Sequence, residues 1–275
     1  MRFIMALILA LFCYQLQAQY FLQHLVVAER SAEQFRQMKR NYISRMKAQS
    51  IEPDGQPSEN FLIEQKVDAS RNTVTTSTSS NFTGQSVMTS IYNGKGQVLE
   101  VSDSSSSVVN HISYTYNQQG LLTKLHIESK DSMQQYTLEE WHELEYDQKG
   151  FPSGMLRIKN GKDTTRVIFI ASENGKPAEE HWWNKNKQLE TWYYYYDDKG
   201  RLTDVARFNA RANRILPDYM YEYDNRGRVI KQTTVQGAGT YRIWQYEYDE
   251  RGLKTKETVL NKYKQVEGTI RYEYK

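Results

Sequence analysis

Cysteine is almost missing from this chain: the only one in 275 residues, Cys13, lies near the start. Nothing after it can form a disulfide, a thiolate nucleophile or a Cys-ligated metal site. Histidine is sparse too. The five, at 24, 111, 126, 142 and 181, include no HExxH or comparable ligand spacing, so no metal is expected. No GxSxG, Walker or dinucleotide fingerprint occurs, and no cofactor is expected. Neither sign of charge dominates, since 36 Lys and Arg face 33 Asp and Glu, and no nucleic-acid partner is expected.

Long apolar runs are also lacking, apart from Phe3 to Tyr14. That run follows Arg2, breaks at Gln15 and reaches Leu16-Gln17-Ala18, the charge, apolar stretch and small-residue exit of a secretory signal peptide. It is shorter than the roughly 20 residues of a membrane anchor. Leu11 and Phe12 precede Cys13, where lipoprotein processing needs small residues. Residues 1-18 are therefore read as a leader cleaved near Ala18, and the protein as secreted, periplasmic or cell-surface. Membrane contact is expected only through that leader.

Next, Phe21, Leu25, Ala28, Ala32, Phe35, Met38, Tyr42 and Met46 recur at steps of three or four, predicting an amphipathic helix within residues 19-50. Pro53, Gly55 and Pro57 mark residues 51-60 as a linker. From Phe61 the helical period gives way to alternation, and Arg71 to Ser80 reads as a strand with a polar outer face.

A repeat then dominates: an aromatic, any residue, Tyr, Asp or Asn, two residues, Gly. It occurs as Tyr114-Thr115-Tyr116-Asn117 to Gly120, Tyr194-Tyr195-Tyr196-Asp197 to Gly200, Tyr221-Glu222-Tyr223-Asp224 to Gly227 and Tyr246-Glu247-Tyr248-Asp249 to Gly252. Weaker copies end at Gly96, Gly150 and Gly175, and Tyr272-Glu273-Tyr274 begins another. Asp or Asn closes a turn through its own side chain and Gly accepts positive φ, so each copy reverses strand into strand. The expected fold is mainly β: tandem antiparallel hairpins over residues 61-275 forming an extended curved sheet, a β-meander, plus the N-terminal helix.

Tyr-Glu-Tyr-Asp-Asn-Arg-Gly-Arg at 221 to 228 and Tyr-Asp-Asp-Lys-Gly-Arg-Leu at 196 to 202 resemble the YD repeat of the RHS family, over roughly Ile91 to Lys275. The resemblance implies stacked β-hairpins in a bacterial surface or secreted protein. Large members wrap many repeats into a shell around a C-terminal toxin, or contribute to cell-surface contact and carbohydrate binding. With about seven copies and no cargo segment after them, this chain is not expected to inherit toxin delivery.

Alternation separates two faces. Counting back from each Gly, one face collects Tyr92, Tyr116, Tyr146, Tyr196, Tyr223 and Tyr248, with Tyr114, Tyr194, Tyr221 and Tyr246, and then Trp192 and Trp244. Its regularity marks it as the core of the repeat. The other face is mostly polar, but Ile168 and Ile170, then Tyr193 and Tyr195, flank a return strand with His181, Trp182 and Trp183, one Trp on each face. Such a patch is either covered by the helix or used as a glycan or protein surface.

The expectation is an exported, non-enzymatic repeat protein binding a glycan or a surface protein through Ile168, Ile170, His181, Trp182, Trp183, Tyr193 and Tyr195. The alternatives are a glycan-active enzyme around Glu179, Glu180 and His181, or an accessory or remnant of an RHS toxin locus. The terminal strand at Tyr272 to Lys275 would leave a free edge, through which a homodimer is expected to pair.

Overall fold

The computed structural model describes residues 22–80, 84–105, 108–131, 136–237 and 239–275. The expected leader lies outside them. The chain divides into two compact units.

The first unit contains α1 (Leu22–Arg40), β1 (Arg45–Ile51), β2 (Leu62–Asp68), β3 (Thr73–Ser80), β4 (Gly84–Tyr92) and β5 (Val98–Ser105). The chain returns to it for most of β16 (Thr240–Tyr248), then β17 (Lys254–Leu260) and β18 (Val266–Tyr274). The second unit holds most of β6 (Val108–Tyr116), then β7 (Leu122–Asp131), β8 (Thr137–Tyr146), β9 (Pro152–Lys159) and β10 (Asp163–Ala171). It continues through β11 (Pro177–Asn184), β12 (Lys187–Tyr196), β13 (Leu202–Asn209), β14 (Arg214–Tyr223) and β15 (Val229–Gly237). Among the described residues no helix is long and apolar enough to cross a membrane.

The expected open, extended sheet is corrected by the pairing. All eighteen strands belong to one antiparallel sheet in which neighbours in sequence are neighbours in space, and the ladder closes on itself. β1 takes β18 on one side, with Met46 opposite Tyr274 and Ser50 opposite Ile270, and β2 on the other, with Met46 opposite Gln65. The result is a closed barrel topology. Tyr272 to Tyr274 therefore leave no free edge, and the homodimer expected through that edge loses its basis.

The turns behave as their chemistry requires. At Asp197 the main-chain N–H bonds the Arg201 carbonyl at 2.9 Å, while Oδ1 accepts from the N–H groups of Lys199 and Arg201 at 3.0 and 2.8 Å. Gly200 sits at φ +73°. The same arrangement recurs at Asn93, Asp147, Asp224 and Asp249. Asn261 builds it once more, but with Lys264 at φ +62° where the other copies have Gly.

The repeat tyrosines act across copies. Four residues before each Gly, Tyr146, Tyr196 and Tyr223 donate their hydroxyls to the carbonyls of Leu122, Pro177 and Leu202 at 2.6, 2.8 and 2.7 Å. Each acceptor lies two residues past the preceding copy's Gly. Tyr274 does the same to Lys254 at 2.8 Å. In the opposite direction, Arg201 reaches forward to the Asp224 carbonyl at 3.1 Å and lies over the Tyr223 ring at 4.7 Å, and Lys176 bonds the Gly200 carbonyl. Successive hairpins are thus clasped from both sides, and the Tyr face is the buried one.

Two boundaries move, and one strand differs in character. The helix ends at Arg40 because Tyr42, at φ +55°, makes a Schellman stop: Ile43 N–H bonds the Met38 carbonyl and Tyr42 N–H that of Lys39. No Gly marks that stop, so the apolar period ran on into what is β1. The linker at 51-60 is an ordered turn, with Ser58 N–H on the Ser50 carbonyl at 2.9 Å. β3 keeps its polar outer face, but on its buried face only Val74 is apolar, beside Thr76, Thr78 and Ser80.

Candidate binding surface

The helix, one expected cover for the aromatic patch, docks elsewhere, within its own unit. Phe35 stacks on Tyr92 with ring centres 4.1 Å apart, Ser31 Oγ and the Tyr92 hydroxyl share a hydrogen bond at 2.9 Å, and Lys39 donates to Asn72 Oδ1 at 2.8 Å. Tyr92 belongs to the first copy, so the helix supplies the partner that the preceding hairpin gives later tyrosines. Burial raises the Tyr92 phenol above its ordinary range.

The patch itself lies in the second unit, on the face opposite the tyrosine ladder. Ile168 and Ile170 of β10 stand across from His181 and Glu179 of β11. Glu179 stands across from Tyr193 of β12, and Tyr195 from Asp204 of β13. Ile168, Ile170 and Tyr195 are 37%, 44% and 47% exposed. Elsewhere that face carries cross-strand ion pairs such as Lys124–Glu143 at 2.9 Å and Lys231–Glu222 at 2.6 Å. Farther along β13 and β14, exposed Phe208 opposes exposed Ile215, continuing the apolar character. Counting eight residues back from each Gly does not reach either: Ile215 stands twelve before Gly227, at the far end of its strand, and Phe208 lies on the return strand after Gly200.

Of the seven expected site residues, six share this face: Ile168, Ile170, His181, Trp183, Tyr193 and Tyr195. Trp182 does not. It points to the Tyr face, where its indole N–H bonds Glu180 Oε1 at 2.5 Å and the Arg157 guanidinium lies 5.7 Å from its ring. On the patch side, His181 Nε2 meets Glu179 Oε2 at 2.6 Å. The Trp183 indole N–H is enclosed without a hydrogen-bond partner.

Glu179 and Glu180, adjacent in sequence, therefore lie on opposite sides of the sheet. Glu180 is fully buried and also accepts from the Tyr194 hydroxyl. A glycosidase needs two carboxyls facing one another across one bond, and these two cannot. Among the described residues, no three His, Cys, Asp or Glu side chains gather as a metal set.

The Tyr face of the second unit holds two charged networks that sequence did not reveal. Buried Glu140 accepts from His142 Nε2 at 2.6 Å and from Arg157 Nε and a terminal nitrogen at 2.8 and 2.7 Å. Burial alone would raise its carboxyl, but the hydrogen bonds and charge of His142 and Arg157 hold it well below the usual range. An ionised carboxylate only accepts, so His142 carries its proton on Nε2. Farther on, Arg207 binds both oxygens of Asp218 at 2.8 and 2.9 Å and Glu190 at 2.6 Å, and lies 4.3 Å from the centre of the Trp192 ring. Both networks organise the buried face. Cross-strand register assembles them, and no local motif announces them.

No protein-family model matches the chain, and no curated relative matches it. Solved structures with similar backbones include a porin-like protein from Bacteroides uniformis, 10% identical, with 85% of this chain and 98% of that one aligned at a TM-score of 0.38. A Photorhabdus luminescens Tc holotoxin pore and a TcdB2–TccC3–Cdc42 complex are each 13% identical over 78% of this chain, at a TM-score of 0.31, and the chain spans 16% of each.

Proposed function

We propose that this is an exported, non-enzymatic β-repeat protein that works in water at the cell envelope and binds another protein through the open face of β10 to β14. Export follows from reading Met1 to Ala18 as a leader, and the clasped Asp-to-Gly turns support the kinship with YD repeats. The observation that bears most weight is the exposure of Ile168, Ile170 and Tyr195, continued by Phe208 and Ile215, on a face that elsewhere carries cross-strand ion pairs such as Lys124–Glu143 and Lys231–Glu222.

In the first unit the exposed faces of several strands argue for water rather than hydrocarbon. A strand crossing a bilayer turns an apolar row to lipid, and a Lys or Arg there costs about 2–4 kcal/mol near the midplane. β1 exposes Arg45, Lys47 and Gln49, β18 exposes Arg271 and Glu273, and β16 exposes Gln245 and Glu247. None of these rows suits lipid.

A protein partner fits better than a glycan. Sugar rings favour open aromatic faces, whereas Ile168 and Ile170 are aliphatic, and the enclosed Trp183 N–H cannot donate to a sugar hydroxyl. The test places a photo-crosslinking residue at Ile170 or Tyr195, with Lys47 as the control position, in the native host. A single partner captured only from the patch, whose purified form binds Ile168→Asp/Ile170→Asp at least tenfold more weakly, is the expected outcome. Saturable binding on a glycan array, lost in the same variant and with no patch-specific crosslink, would replace the reading.

A further inference from the structure

At one end of the second unit, three consecutive hairpins turn side by side: β9 to β10, β11 to β12 and β13 to β14. Adjacent strands lie about 4.8 Å apart, so successive tips at the same end are about 10 Å apart. These tips present Lys162, Lys185, Lys187, Arg211 and Arg214, all exposed. Among the described residues, none of the five makes an ion pair or a side-chain hydrogen bond. Within the same tips the acidic residue is Asp163, already engaged by Asn184 Nδ2 at 2.9 Å.

The opposite end of the same hairpins behaves differently. There Arg201 is paired with Asp197 at 2.6 Å and Arg228 with Asp224 at 2.6 Å, and Lys176 is tied to the Gly200 carbonyl. Positive charge is therefore concentrated at one end: there five cations stand with a single acid, Asp163, whereas the exposed Lys149 and Lys199 of the opposite end stand among Asp147, Glu173, Asp197 and Asp198. Cations within one tip lie inside the physiological screening length of about 8 Å, and neighbouring tips lie slightly beyond it.

Directly behind the cations stand large apolar side chains. Leu189 is 52% exposed, Phe208 56% and Ile215 40%, and Phe208 and Ile215 face each other across β13 and β14. For a soluble polyanion such residues are useless. At a membrane surface they are what enters the boundary between headgroups and acyl chains while Lys and Arg hold the anionic headgroups.

We propose that these three hairpin tips dock on an anionic phospholipid surface, the five cations engaging headgroup phosphates and Leu189, Phe208 and Ile215 entering the interface. Contact of this kind is peripheral: the strands themselves remain in water. It uses none of Ile168, Ile170 and Tyr195; Phe208 and Ile215 lie at the edge of the same face, and the vesicle test below reads their contact with lipid independently of any protein partner.

The experiment is co-sedimentation of the purified protein with vesicles of phosphatidylcholine, with and without phosphatidylglycerol. Near an anionic surface each cation contributes roughly fivefold to partitioning. Lys185→Glu/Lys187→Glu/Arg211→Glu/Arg214→Glu is expected to abolish the preference for anionic vesicles, with the parent's thermal midpoint retained. Phe208→Ser is expected to weaken vesicle binding several-fold while leaving heparin retention unchanged. Raising salt from about 0.05 to about 0.5 M should release the parent, a readout that needs no variant. No preference for anionic vesicles, or a preference untouched by the charge reversals, overturns the proposal. Equal binding of heparin and vesicles with Phe208→Ser silent in both also overturns it, in favour of a soluble polyanion.

Discussion

The phenol of Tyr146 donates to the main-chain carbonyl of Leu122 at 2.6 Å, a bond between one repeat and the one before it. Burial raises the Tyr146 phenol to about 12, so it remains a donor at any physiological pH. Tyr196, Tyr223 and Tyr274 repeat the bond, which explains why the position four before Gly is so consistently Tyr.

Tyr196→Phe should therefore cost about 1–2 kcal/mol, the value of a hydrogen bond whose loss leaves a carbonyl unsatisfied. Tyr195→Phe, one residue away on the exposed face, should stay within about 0.5 kcal/mol of the parent. Urea unfolding of both separates the clasp from mere aromatic content.

Glu140 titrates near 4.5 in the unfolded chain and lower in the folded one. Its contribution is thus complete above that range and is lost as pH falls toward the folded value. Glu140→Gln should cost about 2–3 kcal/mol at pH 7, because Arg157 and His142 lose their shared acceptor. The gap between parent and variant should narrow from about pH 6 to about pH 3 in urea titrations; a constant gap would contradict the lowered carboxyl.

Arg207→Lys should destabilise by about 2 kcal/mol despite keeping the charge. Lysine cannot bind both Asp218 oxygens, reach Glu190 and lie flat against Trp192 at once. The measurement is a denaturant midpoint together with the indole emission maximum.

Gly227 has φ +82°, and a methyl group added there would meet nothing within 4 Å, so Gly227→Ala isolates the backbone effect and should cost about 1 kcal/mol. Lys264→Gly is the mirror experiment, relieving φ +62° in the turn headed by Asn261, and should stabilise by about 0.5–1 kcal/mol. Thermal unfolding of the pair tests whether that turn is one more version of the repeat's.

Much of this was legible from local order. The Asp-to-Gly turns, the burial of the tyrosine ladder and the opposite pointing of Trp182 and Trp183 all follow from a period of two between fixed reversals. The helix end was not, because Tyr42 occupies the left-handed position where glycine would have signalled a stop. Nor were Glu140–Arg157 and Arg207–Asp218, since each pair joins neighbouring strands in a register shifted by bulges, such as that between Glu145 and Tyr146 or between Val205 and Ala206.

By itself, then, the sequence determined the hairpin unit, its turns and which face of each strand is buried. Closure was decided only in three dimensions, because β1 and β18 meet through main-chain hydrogen bonds between residues 46–51 and 269–274. Such bonds use the same N–H and C=O groups in every residue and leave no side-chain pattern to read. The position of α1 was likewise tertiary: its apolar stripe asked for a partner, and Tyr92, with no earlier repeat to bond, supplied it.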